Sequence, residues 1–319
     1  MSIGKHVFGI DYAAEATRIG VALKDYLRES RKKGIVVGMS GGIDSSATAA
    51  LAVHALGPSR VFGVFMPEAD SDPESLRLGN LLAAHLGIRA ETEDIAPALA
   101  ALKCYERRNA AVARVISEFT AEWKFKIVLS GTDTGALNFF SVVARAPDGR
   151  EVRERLPLDA YLAIVAATNF KQRIRKTVEY HWADRLNFAV AGTPNRLEDD
   201  QGFFVKQGDG AADIKPIAHL YKTQVYAMAR HLGLPDAICN RQPTTDTYSL
   251  PQGQDEFYFK LPYAQFDLCL YGKDRGIAPL AVAEALGIGD AQVEHVYRDI
   301  DAKRNAARYL HAAAARIGA

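Results

Sequence analysis

Residues Gly38-Met39-Ser40-Gly41-Gly42-Ile43-Asp44-Ser45-Ser46 combine glycines, three hydroxyls and one carboxylate in a turn between an apolar run and an alanine-rich stretch. The two central glycines permit positive φ and close approach of a ligand to the backbone. The free N–H groups at the start of the following helix attract anions. Ser40, Ser45 and Ser46 add hydroxyl donors. Asp44 repels a phosphate unless a metal ion bridges the two, so the string reads as a phosphate cradle with a hard-cation ligand built in. The Walker form G-x-x-x-x-G-K-[ST] is absent, because no lysine follows the glycines. The bland alternative is an ordinary strand-to-helix turn whose glycines serve packing.

The elements that must hold this loop follow from the flanking residues. Ile35, Val36 and Val37 suit a buried strand, and Ala47 to Leu56 is strongly helix-forming. Ala14 to Arg31 reads as an amphipathic helix, and Val61 to Met66 as a second buried strand. Asp70 to Glu74 reads as a cap and first turn of a helix that ends near Gly87. Ile88 to Ile95 reads as a third strand whose acidic residues mark an edge or face the cleft. This alternation predicts an α/β fold, a doubly wound parallel sheet with helices on both faces and the ligand at the carboxyl ends of the strands. Pro97 to Phe125 is helical in pattern, and Lys126 to Ser130 continues the strand series. Phe139 to Arg145 and Arg150 to Leu156 flank Ala146-Pro147-Asp148-Gly149, which predicts a β-hairpin. A helix over Tyr161 to Leu186, a strand over Asn187 to Ala191, a loop over Gly202 to Asp213 and a helix over Tyr221 to Leu232 follow. Thr244 to Glu256 is a second long loop, and two helices lie between Leu280 and Ile317.

At 319 residues, 48% hydrophobic and 24% charged, the chain can bury a substantial core. A formal net charge of +1 gives no global electrostatic reason to expect a nucleic-acid or membrane partner. Cys104, Cys239 and Cys269 form no C-x-x-C pair, so neither a zinc site nor a disulfide framework is indicated. Met1 to Tyr12 has no apolar h-region, and the expectation is a cytoplasmic protein.

Beyond the first loop, single residues are ambiguous. Glu198 beside Asp199 and Asp200 reads on composition as a solvated acidic turn. Lys222 is as well read as a surface lysine, although a lysine in a helix's first turn opposes the dipole and an anionic ligand would offset that. Arg173 shares a helix face with Lys171, Arg175 and Lys176, a pattern more often solvated than functional.

The string S-G-G-x-D-S resembles the pyrophosphate-binding loop of N-type ATP pyrophosphatases. Several further segments, in order and spacing, resemble NAD synthetase. They are Asn169 with Arg173 and Arg175, Gly192-Thr193 with Glu198 five residues on, Gly202 to Lys206 with Gly208-Asp209-Gly210, Lys222 to Val225, and Pro243-Thr244. Together they cover about half of the chain. The resemblance implies an ammonia-dependent enzyme that adenylates the carboxylate of deamido-NAD with Mg-ATP, releases pyrophosphate, and lets ammonia displace AMP.

Carried over residue by residue, the resemblance assigns Mg²⁺ to Asp44 and Glu198, and ATP to Gly38 through Ser46 with Thr193, Lys222 and Thr244. Deamido-NAD is assigned to Arg173, Lys206, Asp213 and Lys303, and Asp209 is set near the attacking ammonia. Catalytic roles fall on Asp44, Asp209, Lys222 and Thr244. Asp255-Glu256 also fits the pattern without an individual task. Two departures are plain: the family's Gly-Thr-Asp-His is here Gly192-Thr193-Pro194-Asn195, which removes any contact from that Asp or His. The C-terminal His-Lys-Arg is Ala302-Lys303-Arg304, leaving Lys303 alone for that contact. Gly131-Thr132-Asp133 is rejected as the equivalent turn, since no glutamate lies five residues later.

The resemblance implies one synthetase domain over residues 1–319 with C-terminal helices from 278. It also implies a homodimer whose deamido-NAD sites lie near the interface. Residues 131–157 form an insertion that either reshapes the substrate site or interface or is a tolerated surface excursion. No amidohydrolase domain with a cysteine nucleophile fits beside the synthetase core, so glutamine would have to be used by a separate amidotransferase. The rival readings are another N-type ATP pyrophosphatase and a non-catalytic nucleotide-binding module. The neutral charge speaks against tRNA work, and the presence of Asp44, Glu198 and Lys222 against the module.

Overall fold

The computed structural model describes residues 3–130, 139–242, 247–253 and 261–317. Ile35–Gly38 (β1), preceded by α1 (Tyr12–Glu29), runs through the glycine loop into α2 (Ile43–Leu56). β2 (Val61–Phe65), α3 (Pro73–Leu86) and β3 (Arg89–Thr92) follow. Asp72 caps α3, accepting from the Glu74 N–H at 2.9 Å with Pro73 in the first turn, and Gly87 closes it in the left-handed region. Next come α4 (Ala96–Ala101), α5 (Cys104–Ala113), β4 (Lys124–Ser130), β5 (Phe139–Arg145), β6 (Glu151–Arg155), α6 (Leu158–Leu186), β7 (Ala189–Ala191) and α7 (Arg196–Gln201). The chain ends with α8 (Lys222–His231), α9 (Asp236–Cys239), α10 (Tyr263–Asp274), α11 (Pro279–Leu286) and α12 (Asp290–His311).

The central sheet is parallel, in the order β3-β2-β1-β7, with Ile35 opposite Val61 on one side and Ala189 on the other. Alternation along β1 separates two cores. Ile35 and Val37 pack with α1, α2, α3 and α8, while Val36 joins Phe62, Val64, Trp182 and Val190 beneath α6 on the opposite face. The acidic strand β3 lies at the edge, as its exposed pattern requires. The doubly wound α/β reading therefore holds.

The run Lys124–Ser130 corrects one expectation: it does not extend the parallel sheet. It pairs antiparallel with the hairpin, in the order β4-β5-β6, with Phe125 opposite Ala144 and Val143 opposite Arg153. The hairpin turn forms where expected, with Gly149 at φ 89° and the Asp148 carboxylate accepting from the Arg150 N–H. Phe125, Ile127, Val142, Ala144 and Leu156 build a third core against Ala160 and Ile164 of α6. The hairpin is thus a packed layer and not a surface excursion.

Candidate active site

A cavity of about 700 Å³ lies at the carboxyl ends of β1 and β2, walled by the glycine loop, α6, the start of α7, the 202–209 loop and Lys222. Gly41 turns the loop with φ 69°, and a Cβ there would come 2.4 Å from the Ser75 carbonyl, so both backbone angle and space require glycine. Ser45 and Ser46 hydroxyls donate to the Gly42 carbonyl at 3.1 and 2.7 Å, and Ser40 and Ser45 hydroxyls touch at 3.1 Å. Gly42 caps α2 without a side-chain bond, which leaves first-turn N–H groups facing the cavity for an anion. Gly38, Met39, Ser40, Gly42, Ile43, Asp44 and Ser45 line the cavity. Gly41 and Ser46 shape the loop from behind.

Two charged residues more than 150 positions beyond Asp44 converge with it beside that helix start. Lys222, at the first position of α8 and 1% exposed, pairs with Asp44 and lies 3.7 Å from Glu198. Burial opposes its charge, yet the carboxylates of Asp44 and Glu198 outweigh that and hold its pKa above the ordinary lysine value. Burial, followed by the like charge of Asp44, raises the Glu198 pKa above the usual carboxylate range. Asn195 fixes both acids. Its amide donates to Asp44 at 2.9 Å, and with Glu198 it forms a reciprocal capping box at the start of α7. The substitution read from sequence as a lost contact therefore supplies a new one.

Among the described residues no group of three or more His, Cys, Asp or Glu side chains could hold a metal by itself. Two cavity-facing carboxylates sharing one ammonium are nevertheless a donor set that suits Mg²⁺, which takes one or two protein carboxylates and completes its shell with phosphate and water. The residues present fit that ion.

Thr193 and Asp209 also reach the cavity. The Asp209 carboxylate accepts from the Val205 N–H at 2.7 Å, and burial raises its pKa. Four other expected residues lie off this cavity. Arg173 is exposed on α6 with Nε 3.3 Å from the Lys206 carbonyl. Lys206 donates to the carbonyls of Tyr309 and Ala312. Asp213 accepts from the Val190 N–H and the Tyr180 hydroxyl. Lys303 pairs with Asp299 at 2.7 Å. Pro243, Thr244, Asp255, Glu256 and Gly131-Thr132-Asp133 lie outside the described residues.

Sequence reasoning missed several lining residues. Arg241 donates to the Gly41 carbonyl and to Ser75, tying the loop to α3. Phe140 of β5 stacks on Tyr161 at 4.3 Å and 12°, bringing the hairpin to the cavity wall. Gln172 and Glu179 continue from Asn169 down one face of α6, together with Arg175, which the resemblance had already picked out without a role. The three- and four-residue spacing from Asn169 is the signal that marks them.

The NAD synthase family profile matches residues 15–128 and 153–307. The chain belongs to the NAD synthase family. An NH(3)-dependent NAD(+) synthetase of Rhizobium meliloti is 57% identical over 303 residues, covering 95% of this chain and 91% of that protein. Solved structures share the fold. An NMN synthetase from Francisella tularensis superposes with a TM-score of 0.66 at 21% identity, covering 97% of this chain and all of that one. The NH3-dependent NAD synthetase of Campylobacter jejuni does so at 0.64 and 20%, with the same coverage. The NAD synthase profile leaves residues 129–152 unmatched, which hold most of the hairpin.

Proposed function

We propose that the chain catalyses the ATP-dependent amidation of deamido-NAD to NAD, through an adenylated carboxylate, with ammonia as the nitrogen donor and AMP and pyrophosphate as products. The observation that carries this reading is the convergence of Asp44, Glu198 and Lys222 on one cavity beside the open N–H groups of α2. The glycine loop receives the departing pyrophosphate on backbone N–H groups, and Ser40 and Ser45 add hydroxyls. Lys222 offers a point charge to the phosphates as charge builds on the leaving group. Asp44 and Glu198 would hold Mg²⁺, and the charge neutralisation such an ion supplies would suit a triphosphate whose α-phosphate is attacked by the substrate carboxylate. Thr193 completes the nucleotide wall, and Thr244 keeps the phosphate contact implied by the resemblance. Asp209, buried at the cavity with a raised pKa, suits a group that holds ammonium or accepts a proton as the amine forms.

The dinucleotide extends beyond this cavity toward Arg173, Lys206 and Lys303, and Asp213 secures the end of the 202–213 loop. A homodimer accounts for the position of Arg173. Leu158 and Leu162, one turn apart on α6, are 72% and 53% exposed and provide an apolar stripe for a second copy. Residues 1–319 act as one synthetase domain. Phe140 supports a role for the hairpin in shaping the substrate site. Among the described residues no helix is long and apolar enough to cross a membrane. We place the reaction in the cytoplasm, with free ammonia or a separate amidotransferase as the source.

The test is incubation with Mg-ATP, deamido-NAD and ammonium, measuring NAD, AMP and pyrophosphate. Stoichiometric appearance of all three is expected. Pyrophosphate without NAD would assign the chain to another adenylating enzyme.

A further inference from the structure

Asp267 is a buried acid that the proposed reaction leaves unused. It lies on α10, fully buried, between Phe266 and Leu268 of an apolar core that α10 shares with α11 and α12. Its Oδ2 accepts from the Thr223 N–H at 2.8 Å and from the Thr223 hydroxyl at 2.7 Å. Its Oδ1 has no hydrogen-bond partner among the described residues. Tyr221, the residue before α8, is not one of the short polar types that cap a helix, so Asp267 supplies an acceptor for the first turn of α8 from another element. A serine or threonine would do as much without burying a charge. The carboxylate therefore serves something besides the cap.

What it serves stands one residue before Thr223. Lys222 is a cation at the first position of α8, where it opposes the helix dipole, and a carboxylate at the same helix end offsets that. Tyr263, four residues before Asp267 and so on the same face of α10, places its ring 5.1 Å from the Lys222 ammonium. α10 thus holds the lysine at both ends, the backbone through Thr223 and the ammonium through the tyrosine ring. Leu197 and Tyr221, which immediately precede Glu198 and Lys222, are buried in the same core as Phe266 and Leu268. Neither Tyr263 nor Asp267 lines the cavity, so both act on the site from behind.

We propose that Asp267 and Tyr263 are positioning residues for Lys222: they pin the first turn of α8 so that the ammonium meets the phosphates of ATP from a fixed base. This rests on the phosphate role given to Lys222 above, and not on which carboxylate is adenylated. Helices fray from their ends, and Lys222 is the end residue of α8. With Asp267 in place only the lysine side chain is free to turn. Without it the backbone that carries the ammonium moves as well.

The test is calorimetric titration of the full-length chain with Mg-ATP and, separately, with deamido-NAD, in D267A, D267N, T223V, K222M and K222M/D267A. In D267A the affinity for ATP is expected to fall about tenfold, the loss of one charge-assisted hydrogen bond. D267N keeps an acceptor for Thr223 and is expected to recover most of that loss. T223V gives up only the hydroxyl bond and is expected to fall about threefold. Affinity for deamido-NAD is expected to hold in D267A and T223V, which a general loosening of the fold would not allow. On the K222M background, adding D267A is expected to change ATP affinity less than about twofold, because the residue acts through the lysine. If D267A does not fold, T223V carries the decision. Unchanged ATP affinity, an equal fall for both ligands, or a full tenfold loss added to K222M would overturn the positioning role. A parent chain that binds Mg-ATP but not deamido-NAD would overturn the amidation reading instead.

Discussion

Replacing Lys222 by methionine tests whether the three converging charges are one unit. The side chain is 1% exposed, bridges Asp44 and Glu198, and lies 5.1 Å over the Tyr263 ring, so methionine fills the volume and removes only the charge. Removing one partner of a buried ion pair costs about 3–5 kcal/mol, a large part of the roughly 5–15 kcal/mol that holds a domain together. Here two carboxylates are stranded beside each other, which favours the upper end. Unfolding of K222M in chelator is therefore expected to shift to markedly lower denaturant. D44N/K222M should regain about 1–3 kcal/mol over the sum of the single changes, because the repulsion goes with the second charge. The sign with pH follows from Glu198. Its native pKa is already raised and rises further without Lys222, so the folded state binds the proton more tightly. The penalty in K222M is then smallest near pH 4 and grows as pH rises through the native value. Strict additivity of D44N and K222M, or a penalty that grows on acidification, would refute the reasoning.

Three further outcomes follow from single contacts. G41A forces a Cβ at φ 69° into the Ser75 carbonyl; a left-handed alanine alone costs about 1–2 kcal/mol, and calorimetric titration should show ATP binding lost. Asp267, fully buried on α10, accepts from the N–H and hydroxyl of Thr223, and burial pushes its pKa up to about 6 from 3.8. The folded state thus loses about 2 kcal/mol as pH rises from 4 to 6, toward about 3 kcal/mol in all above that, and D267N, which keeps an acceptor for Thr223, should flatten that part of the stability–pH curve. F140A removes the stack on Tyr161, worth about 0.5–1.5 kcal/mol, and should raise KM for the dinucleotide severalfold while KM for ATP holds.

The parallel half of the fold was legible because its signals are local. Ile35 to Val37 and Val61 to Phe65 are β-branched or aromatic runs, and Asp72-Pro73 and Gly87 mark the two ends of α3. The partner of a strand is not local, and so Lys124–Ser130 could be read as a strand but not placed in its antiparallel sheet. α10 escaped because Phe266, Leu268, Cys269 and Leu270 are buried on several sides, which erases the amphipathic period. In the site, Lys222 announced itself by opposing its helix dipole. Arg241 and Glu179 gave no comparable sign, since what makes them part of the cavity is the approach of segments distant in the chain.

That approach also explains how so charged a site can exist without unfolding the chain. Within the protein, Lys222 satisfies Asp44 and Glu198, Lys176 satisfies one oxygen of Glu179, and Lys171 satisfies Glu68. Each of these four acids is matched by a lysine, which is a point charge on a flexible stem and not a rigid bidentate fork. A lysine can transfer its ammonium from a carboxylate to a phosphate by small rotations of that stem. Under the proposed reaction, Asp44 and Glu198 would hold the hard cation that accompanies a triphosphate and Lys222 would meet its phosphates, so the nucleotide would exchange partners with the site instead of adding charge to it. The glycine loop has no side-chain charge of its own except Asp44, so under that reaction the exchange would fix which end of a nucleotide can enter. An adenosine with no phosphates gives Lys222 nothing to turn to and leaves the pairs closed.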